Sequence, residues 1–507
     1  MRIFFVNPNA GGQVGFSYGI ASLSAVLKQA GHRVSVLNIN EKMSPVPEDS
    51  EIINDIFRFK PDLIGFSIVT LQFPYALRLA KAIKEKKSRV PVIAGGVHAT
   101  MVPEEILKTK AFDYVCVGEG EFSLLALIDA MERGEDTGKI SGIWKRINDK
   151  IISNPVGPFP ELSVLPKVDY TICDFQHLIN VKKGWVSIMA GRGCPFMCSY
   201  CFNHRIVDRY RKELCKRVSE LRYVRFYPPQ TVVSEISHLA TMYSGVKMLI
   251  FDDDIFTLNK NYVREFCTLY RESQIQIPLT VNAHVRFFDE ETAKSLAEAG
   301  CKIVKFGLES GSSRIRREVL RRYMSNSQIE KAFGIAHKYS LHSSAFLMLG
   351  LPKEKKEDML ATVNLLGKIM PGRFRWSVFY PFPGTVACEI AEKEGFINPQ
   401  KTLSLTDFFS ESPLDFGEEM NLFLDKLNTA FPWFVNAYSV LGCASMYKSL
   451  VDEIEKLPKE KWEQRKHLLV KEDAEISAHL TAEGKEHYAI KYNRFMGVNS
   501  KFFSIKA

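Results

Sequence analysis

The sequence predicts an α/β protein in which a doubly wound parallel sheet is followed by an incomplete parallel barrel and a helical C-terminal region. Two series of apolar, strand-like runs alternate with helix-like stretches, and they occupy residues 1–135 and 185–400. A proline-rich stretch separates the two series, and beyond residue 400 the alternation stops. These observations divide the chain into a sheet domain at 1–140, a linker at 141–180, a barrel at 181–400 and a helical region at 401–507.

The sheet domain contains five apolar runs that are typical of buried parallel strands. The predicted strands are 3–6, 34–37, 63–69, 90–94 and 114–117. The predicted helices are 18–29, 50–59, 74–86, 103–108 and 122–132. Strands and helices that alternate in this way form a sheet with helices on both faces, as in Rossmann-like folds.

Three loops at the expected carboxyl edge of this sheet are rich in glycine, and they span residues 7–12, 95–100 and 118–121. Doubly wound sheets bind their ligands at that edge, and glycine lets the backbone approach a bulky ligand closely. Each loop taken alone could be a tight turn. Three such loops on one edge predict a ligand site.

The linker carries four closely spaced prolines, Pro155, Pro158, Pro160 and Pro166. Proline lacks a backbone N–H, so this segment cannot be a regular helix or a central strand. The second series then begins, and its predicted strands are 185–189, 247–251, 279–282, 303–307, 345–349 and 376–380. Six strand–helix units predict a partial (β/α)6 barrel with its active site at the carboxyl ends of the strands.

Three cysteines follow the first barrel strand with the spacing C-x3-C-x2-C, namely Cys194, Cys198 and Cys201. Three thiolates on one tight loop can hold three corners of a [4Fe-4S] cluster and leave the fourth iron open for chemistry. The alternative is a structural zinc site completed by His204. Zinc sites usually pair two ligand clusters, and the sequence offers no second cluster nearby.

The composition excludes several classes of protein. The seven other cysteines of the ten show no pairing rhythm, which predicts a reducing, cytoplasmic location. We find no signal-like segment, no apolar run long enough to span a membrane and no nucleic-acid-binding module. The net charge of +9 is concentrated in 205–225 and 314–322, which we expect to be solvated helix faces. The alternative is that these runs steer an anionic substrate or touch an acidic surface.

The cysteine loop, with Tyr200 before its last cysteine, resembles the signature of the radical S-adenosylmethionine (radical SAM) superfamily. The sheet domain placed before it resembles the cobalamin-binding class of that superfamily. Further matches lie at the ends of later barrel strands, in the segments 251–256, 307–311, 349–352 and 380–385. The resemblance implies a [4Fe-4S] cluster on the three cysteines, S-adenosylmethionine (SAM) on the open iron, and cobalamin on the sheet domain.

The resemblance also implies which residues contact SAM. Asp252 and Asp253 would contact its amino group, Arg286 its carboxylate, and Glu309 would be a further polar contact. The aspartates could instead cap a helix, since Asp is a favoured N-cap residue. Glu309 could instead form a buried salt bridge with Lys305 or Arg316.

For cobalamin the predicted contacts lie on the three glycine-rich loops. They are Asn7, Gly11, Gly12, Gly95, Gly96, His98, Gly118, Glu119 and Gly120. Proteins that ligate cobalt through a histidine use Asp-x-His-x-x-Gly after the first strand, whereas this chain has Asn-Pro-Asn-Ala-Gly-Gly. We therefore expect no lower histidine ligand from this motif, and we interpret His98 as a polar residue of the pocket. A domain that keeps the fold without the ligand is the alternative.

The implied activity is reductive cleavage of SAM to a 5′-deoxyadenosyl radical, followed by methylation of an unactivated carbon through methylcobalamin. An oxidative cyclase or rearrangement enzyme of the anaerobic porphyrin-cyclase type is the alternative on the same scaffold. Methylthio transfer to tRNA would require three more cysteines in the N-terminal domain, which offers only Cys116. A non-catalytic cobalamin sensor would leave the three cysteines unexplained.

The expected partners are a small-molecule substrate and an external one-electron reductant of the ferredoxin or flavodoxin type. The C-terminal region is rich in aromatic residues, among them Phe408, Phe431, Trp433 and Phe434. We expect these residues to pack in a core, and the alternative is that they contact an apolar or planar substrate. The sequence does not identify the substrate.

Overall fold

The computed structural model describes residues 1–86, 89–148, 150–404, 409 and 411–504, with the side chains of 402–404 left out. The chain divides into two compact units. Unit 1 comprises Met1–Phe196, Cys201–Ile250 and Phe382–Thr385, and unit 2 comprises Met197–Tyr200, Phe251–Pro381 and Val386–Ala507. No helix of the described residues is long and apolar enough to cross a membrane.

The strands, in chain order, are β1 (Arg2–Asn7), β2 (Arg33–Asn38), β3 (Leu63–Ser67), β4 (Val92–Gly95), β5 (Tyr114–Cys116), β6 (Ile143–Ile147), β7 (Lys150–Ile152), β8 (Trp185–Ile188), β9 (Gly191–Arg192), β10 (Arg225–Phe226), β11 (Met248–Phe251), β12 (Leu279–Ala283), β13 (Cys301–Glu309), β14 (His342–Leu349), β15 (Arg373–Val378), β16 (Tyr488–Ile490) and β17 (Met496–Asn499).

The α-helices, in chain order, are α1 (Tyr18–Gln29), α2 (Asp49–Arg58), α3 (Phe73–Glu85), α4 (Val97–Met101), α5 (Pro103–Lys108), α6 (Glu121–Arg133), α7 (Phe175–Val181), α8 (Phe202–Glu213), α9 (Pro229–Met242), α10 (Lys260–Glu272), α11 (Glu290–Glu298), α12 (Ser313–Glu318), α13 (Asn326–Lys338), α14 (Lys356–Ile369), α15 (Val386–Lys393), α16 (Pro399–Ser404), α17 (Glu418–Thr429), α18 (Phe431–Ala437), α19 (Ala444–Lys456), α20 (Lys459–Arg465) and α21 (Leu469–Ala482).

Unit 1 contains a sheet of order β2-β1-β3-β4-β5-β6-β7. The first five strands are parallel, which confirms the doubly wound sheet and gives the flavodoxin-like order 2-1-3-4-5. Alternate residues of β1 enter different cores: Phe4 and Val6 pack on one face, and Ile3 and Phe5 on the other. A sheet buried on both faces requires the continuous apolar runs that the sequence shows.

The last two strands of this sheet were not predicted. β6 and β7 add to β5 as an antiparallel hairpin, and both lie in the segment interpreted as linker. They are short and mix polar with apolar residues, so they lack the continuous apolar run of strands buried on both faces. The proline-bearing residues 153–161 form no regular element.

The second alternating series is also present. β8, β11, β12, β13, β14 and β15 occupy the six predicted strand positions, and each is followed in the chain by a helix. Within unit 2, β12, β13, β14 and β15 pair in parallel in chain order. This confirms the parallel α/β class of the second segment.

The C-terminal region is mostly helical, as predicted, with one addition. β16 and β17 form an antiparallel hairpin, and β17 pairs with β15 at Val498↔Arg373. Phe431, Trp433 and Phe434 are almost fully buried, which favours core packing over contact with a substrate. Phe408 lies outside the described residues.

Candidate active site

The cysteine loop joins β9 to α8 and forms no regular element between residues 193 and 201. Cys198 is buried, Cys194 and Cys201 are half-buried, and none of the three is in a disulfide. Cys201 is the N-cap residue of α8 and contributes no side-chain hydrogen bond to the cap. The loop therefore presents three thiols that no disulfide engages.

In unit 1 both ends of this loop rest on residues 223–226. β9 pairs with β10, so that Arg192 faces Arg225. Gly193 has φ +93°, and a Cβ there would lie 2.4 Å from the carbonyl oxygen of Tyr223. Past the last cysteine, the Tyr223 hydroxyl donates to Asn203 Oδ1 at 2.6 Å. Position 193 therefore requires glycine, for its backbone angle and for its close approach to Tyr223.

In unit 2 the middle of the loop is held by residues 319–322. Ser199 N–H donates to the carbonyl of Leu320 at 3.0 Å, and its hydroxyl donates to the carbonyl of Val319 at 2.5 Å. Arg322 Nη1 lies 3.6 Å from Cys198 Sγ, within range of a hydrogen bond to sulfur. A buried guanidinium thus faces one of the three candidate ligands.

Glu309 belongs to the same group of residues. Its Oε1 accepts a hydrogen bond of 3.1 Å from the Tyr200 hydroxyl, and Arg322 Nη1 lies 3.4 Å from that hydroxyl. Burial raises the pKa of Glu309, against the opposing effects of Arg322 and of the Tyr200 hydrogen bond. The structure therefore links Glu309 to Cys198 through Arg322 and Tyr200.

The backbone at Glu309 is unusual. Its φ is +66°, a region that residues other than glycine rarely occupy, and the β13–β14 register shifts between Gly307 and Glu309. Arg322 Nη2 donates to the carbonyl of Gly307 at 2.5 Å, just before the shift. Such strain persists only where the surroundings hold it, and it often occurs at functional positions.

The two aspartates that follow β11 do not cap a helix. The next short helix (Phe256–Leu258) has Ile255 at its N-cap, and α10 is capped by Asn259. Asp252 is exposed, whereas Asp253 is buried and accepts, through its carbonyl, a 2.8 Å hydrogen bond from Asn282 Nδ2. Helix capping therefore does not explain these residues.

Arg286 lies on an exposed turn after β12, beside the buried His284. Burial lowers the pKa of His284 to about 3, with further lowering from Arg322 and Arg286. Both guanidinium groups therefore act on the same imidazole, which is neutral at physiological pH. Arg286 and Arg322 together bring positive charge to this edge of unit 2.

Buried arginines make several of these contacts. The prediction of solvated helix faces at 314–322 and 205–225 is wrong for three of them, since Arg316 is 0%, Arg322 9% and Arg225 6% exposed. Arg316 Nη1 donates to the carbonyl of Ser310 at 2.7 Å, and Arg225 Nη1 to the carbonyl of Pro160 at 2.6 Å. The only sequence signal was the charge density, which does not separate buried from solvated arginines.

The carboxyl edge of the unit 1 sheet carries the predicted cobalamin contacts. Asn7 Nδ2 donates to Asn38 Oδ1 at 3.0 Å, and Gly11 N–H donates to Glu41 at 2.9 Å. Gly95 ends β4, and Gly96 has φ +93°, where a Cβ would lie 2.8 Å from the backbone of Ile68. A Cβ on Gly12 would collide with Asn9. At Gly12 and Gly96 the protein's own atoms thus fill the space of a side chain, whereas a Cβ on Gly11 would meet no atom within 4 Å, which leaves room for a ligand to approach the backbone there.

His98 is buried in α4. Its Nδ1 lies 3.3 Å from Thr70 Oγ1, and its ring packs on Phe73 with centroids 4.6 Å apart. Burial lowers the pKa of His98 to about 4, so the imidazole is neutral. These contacts fit the interpretation of His98 as a polar residue of the pocket.

The third glycine-rich loop makes extensive contacts within the protein. A Cβ on Gly118 would lie 2.1 Å from the Tyr210 hydroxyl, to which Glu119 N–H donates at 3.1 Å. The Glu119 carboxylate pairs with Arg192 and Arg225. Gly120 lies over Cys116, where a Cβ would be 3.2 Å from sulfur. These contacts explain the loop without a ligand, and its predicted contact with cobalamin stays a prediction.

The residues present suit the implied cofactors. Three thiols outside any disulfide, with a guanidinium 3.6 Å from one sulfur, fit an iron–sulfur cluster, whose potential depends on hydrogen bonds to its sulfurs. The edge loops 7–12 and 95–98 supply glycine backbone, with open space at the Cβ position of Gly11, and no histidine at the position of the cobalt-ligand motif. His204, which the zinc alternative would use as its fourth ligand, lies on α8 with its Nε2 3.8 Å from the Asp208 carboxylate.

Two known families match the chain. The B12 binding domain family matches residues 9–128, and the radical SAM superfamily matches residues 188–366, which include the cysteine loop. The second match favours the iron–sulfur interpretation of the three cysteines over zinc.

Similar proteins span most of the chain. An uncharacterized methyltransferase of Pyrococcus horikoshii is 29% identical over 75% of this chain and 79% of its own. An anaerobic magnesium-protoporphyrin IX monomethyl ester cyclase of Rubrivivax gelatinosus is 23% identical over 85% of this chain and 77% of its own. The solved structure of the radical SAM methyltransferase TsrM from Kitasatospora setae, with cobalamin and a [4Fe-4S] cluster bound, shares the fold at a TM-score of 0.63. That likeness covers 78% of this chain and 76% of TsrM at 19% identity. From the two domain matches and the fold, this chain is a radical SAM enzyme of the class that carries an N-terminal B12 binding domain.

Proposed function

We propose that this protein is a cobalamin-dependent radical SAM C-methyltransferase. One contact within unit 1 carries the proposal: the Glu119 carboxylate, at the carboxyl edge of the B12-type sheet, pairs with Arg192, two residues before Cys194. The cobalamin edge and the start of the cluster loop are thus held side by side. The methyltransferase relative from Pyrococcus horikoshii supports the same activity.

Each cofactor has its own set of residues in this proposal. Cys194, Cys198 and Cys201 hold the cluster, and the edge loops 7–12 and 95–98 hold cobalamin. Asp252, Asp253, Arg286 and Glu309 contact SAM. When bound, the cluster and SAM supply a radical that removes a hydrogen atom from carbon, and cobalamin supplies the methyl group.

The protein's own groups orient and insulate these cofactors. Arg322 donates toward Cys198 and toward Tyr200, which fixes Glu309 in place. A guanidinium at a ligating sulfur stabilises the negative charge that reduction adds to a cluster. The burial of Arg322 and Cys198 strengthens this effect, since water does not screen them.

The reaction also requires a source of single electrons. We place the protein in the cytoplasm, because no disulfide joins any of its ten cysteines, and we propose a ferredoxin- or flavodoxin-type protein as its one-electron reductant. Its substrate is a small molecule.

Anaerobic reconstitution tests the proposal most directly. Iron, sulfide and hydroxocobalamin are supplied, and iron, cobalt and zinc are then counted in the purified protein. We expect about four irons in a [4Fe-4S] cluster and one cobalt per chain. Iron without cobalt would refute the methyltransferase, and zinc in place of iron would refute all radical SAM chemistry here.

Substitution of a single cysteine tests whether the cysteine loop is required for catalysis. Cys198→Ala should abolish cluster loading and SAM cleavage together, because three thiolates are the minimum that this loop supplies. Cys215→Ala is the matched control, since Cys215 is exposed and lies outside the loop. Retained SAM cleavage in Cys198→Ala would contradict the cluster assignment.

An oxidative cyclase is the second candidate. The cyclase of Rubrivivax gelatinosus covers more of this chain, 85%, than the methyltransferase from Pyrococcus horikoshii does. SAM labelled in its methyl group distinguishes the two activities once a substrate is in hand. Label in the product supports methyl transfer, and an unlabelled product with a new ring supports the cyclase.

A further inference from the structure

Four charged side chains form a compact cluster in unit 1, next to the cysteine loop; Glu121 and Arg225 are buried, and Arg192 and Glu119 are half-buried. Arg192 Nη1 donates to Glu121 at 2.7 Å and to Glu119 at 3.0 Å. Arg225 Nη1 donates to Glu119 Oε2 at 3.2 Å, and a second nitrogen of Arg225 pairs with Oε1. The two arginines carry two positive charges and the two glutamates two negative ones, so the four side chains together are neutral.

The chemistry of Glu121 shows how tightly these groups are coupled. Burial raises the pKa of this carboxyl, but Arg192 and a 2.8 Å hydrogen bond from Ser22 outweigh burial and lower it. Glu121 therefore stays charged in a site that is 4% exposed. A charge held at such a depth depends on its partner.

This cluster continues into the support of the cysteine loop. Residues 223–226, here called the frame segment, hold Gly193 before the first cysteine and Asn203 after the last one. Arg225 is the charged residue of the frame segment, and its Nε also donates to the carbonyl of Tyr223 at 3.2 Å. Arg225 thus fixes the segment on which both ends of the loop rest.

Glu119 connects this frame to the B12-type domain. It binds Arg225 of the frame segment and Arg192 of the strand that enters the loop, and its N–H donates to Tyr210 of α8. Two elements around the cysteines therefore converge on the Glu119 carboxylate, and a third, α8, meets the backbone N–H of the same residue. Neither a cobalamin contact nor a tight turn accounts for that arrangement.

We propose that Glu119 is a positioning residue that fixes the frame of the cluster loop and sets the local charge beside the cluster. The inference rests on the proposed function only in that the three cysteines carry a [4Fe-4S] cluster. Without the Glu119 charge, Arg192 and Arg225 face one carboxylate instead of two. The excess positive charge stabilises the reduced cluster, so the reduction potential rises.

The test uses the reconstituted holoprotein with Glu119→Gln and Arg225→Gln. The midpoint potential of the cluster is measured by anaerobic redox titration followed by electron paramagnetic resonance, and iron is counted in each sample. We expect a higher potential in Glu119→Gln and a lower one in Arg225→Gln. The double variant restores neutrality and should return towards the parent value. Glu220→Gln is the control, since Glu220 forms an exposed pair with Arg217.

A role in folding alone would not shift the potential in opposite directions, because both variants would only lose iron. Glu119→Asp keeps the charge but shortens the reach, so we expect the parent potential with less iron bound. Unchanged potentials, or shifts of the same sign, overturn the inference. The readouts need neither turnover nor a methyl acceptor. A parent protein that binds the cluster but transfers no methyl group therefore refutes the proposed function alone.

Discussion

A buried carboxyl in unit 2 makes stability depend on pH, and Glu354→Gln should remove that dependence. Glu354 is 3% exposed and lies between β14 and α14. Its Oε2 accepts a 2.9 Å hydrogen bond from Leu351 N–H, and its Oε1 has no hydrogen-bond partner among the described residues. Burial raises the pKa of Glu354 to about 8, with a smaller contribution from Asp358.

The direction of the effect follows from the two pKa values. The folded-state pKa of about 8 lies above the ordinary value of 4.5, so the folded protein holds a proton that the unfolded chain releases. The contribution of Glu354 to stability is therefore fully present below the unfolded pKa, and it is lost as the pH rises towards 8. Between pH 5.5 and pH 8 the loss amounts to about 3 kcal/mol, at 1.36 kcal/mol per pKa unit.

Glutamine has the shape of the protonated carboxyl and does not titrate. The advantage of Glu354→Gln over the parent should therefore grow by about 3 kcal/mol from pH 5.5 to pH 8. Urea unfolding measures it, with tryptophan fluorescence as the probe. Three of the five tryptophans, Trp376, Trp433 and Trp462, are buried in unit 2, so most of the fluorescence probes lie in the unit that contains Glu354.

Glu357→Gln is the matched control, because it removes the same charge from an exposed position in the first turn of α14. Its effect should stay within about 0.5 kcal/mol at both pH values. If Glu354→Gln and the parent lose stability in parallel as pH rises, Glu354 does not hold the proton, and the reasoning is wrong. Equal gains in the two variants would point instead to net charge.

Three further predictions concern other positions. His342 is buried without a hydrogen-bond partner for either ring nitrogen among the described residues, and burial lowers its pKa to about 3. The pKa of His342 is lower in the folded than in the unfolded state, so the parent loses stability as the pH falls. From pH 8 to pH 5 the free energy of unfolding in urea should therefore fall by about 2 kcal/mol less for His342→Leu than for the parent. Arg322→Gln should lower the midpoint potential of the cluster, because Cys198 loses its charged donor; an unchanged potential in a fully loaded variant would count against that role. Gly96→Ala should lower the free energy of unfolding by at least about 1 kcal/mol, measured by thermal unfolding, because φ is positive there and the new Cβ would lie 2.8 Å from the backbone of Ile68. Gly15→Ala is the control and should change it little, because a Cβ there meets open space.

The sequence by itself determined the elements that depend on local pattern. Continuous apolar runs located the five parallel strands of the first sheet and the six of the second series, because strands buried on both faces need apolar residues throughout. α1 and α5 have the predicted bounds. The cysteine spacing pointed to the cluster, since three ligands on one loop form a local feature.

Only the tertiary structure decided the contacts between residues far apart in the chain. Arg322 meets Cys198 across 124 residues, and Glu119 meets Arg225 across 106. The sequence pattern does not indicate such pairs, and it does not show whether a charged residue is solvated or buried against a partner. The two hairpins β6–β7 and β16–β17 could not be predicted for a related reason, since whether such short strands form depends more on the strands they pair with than on their own residues. The chemistry could therefore be predicted from a local motif, while the residues that position it depend on the fold.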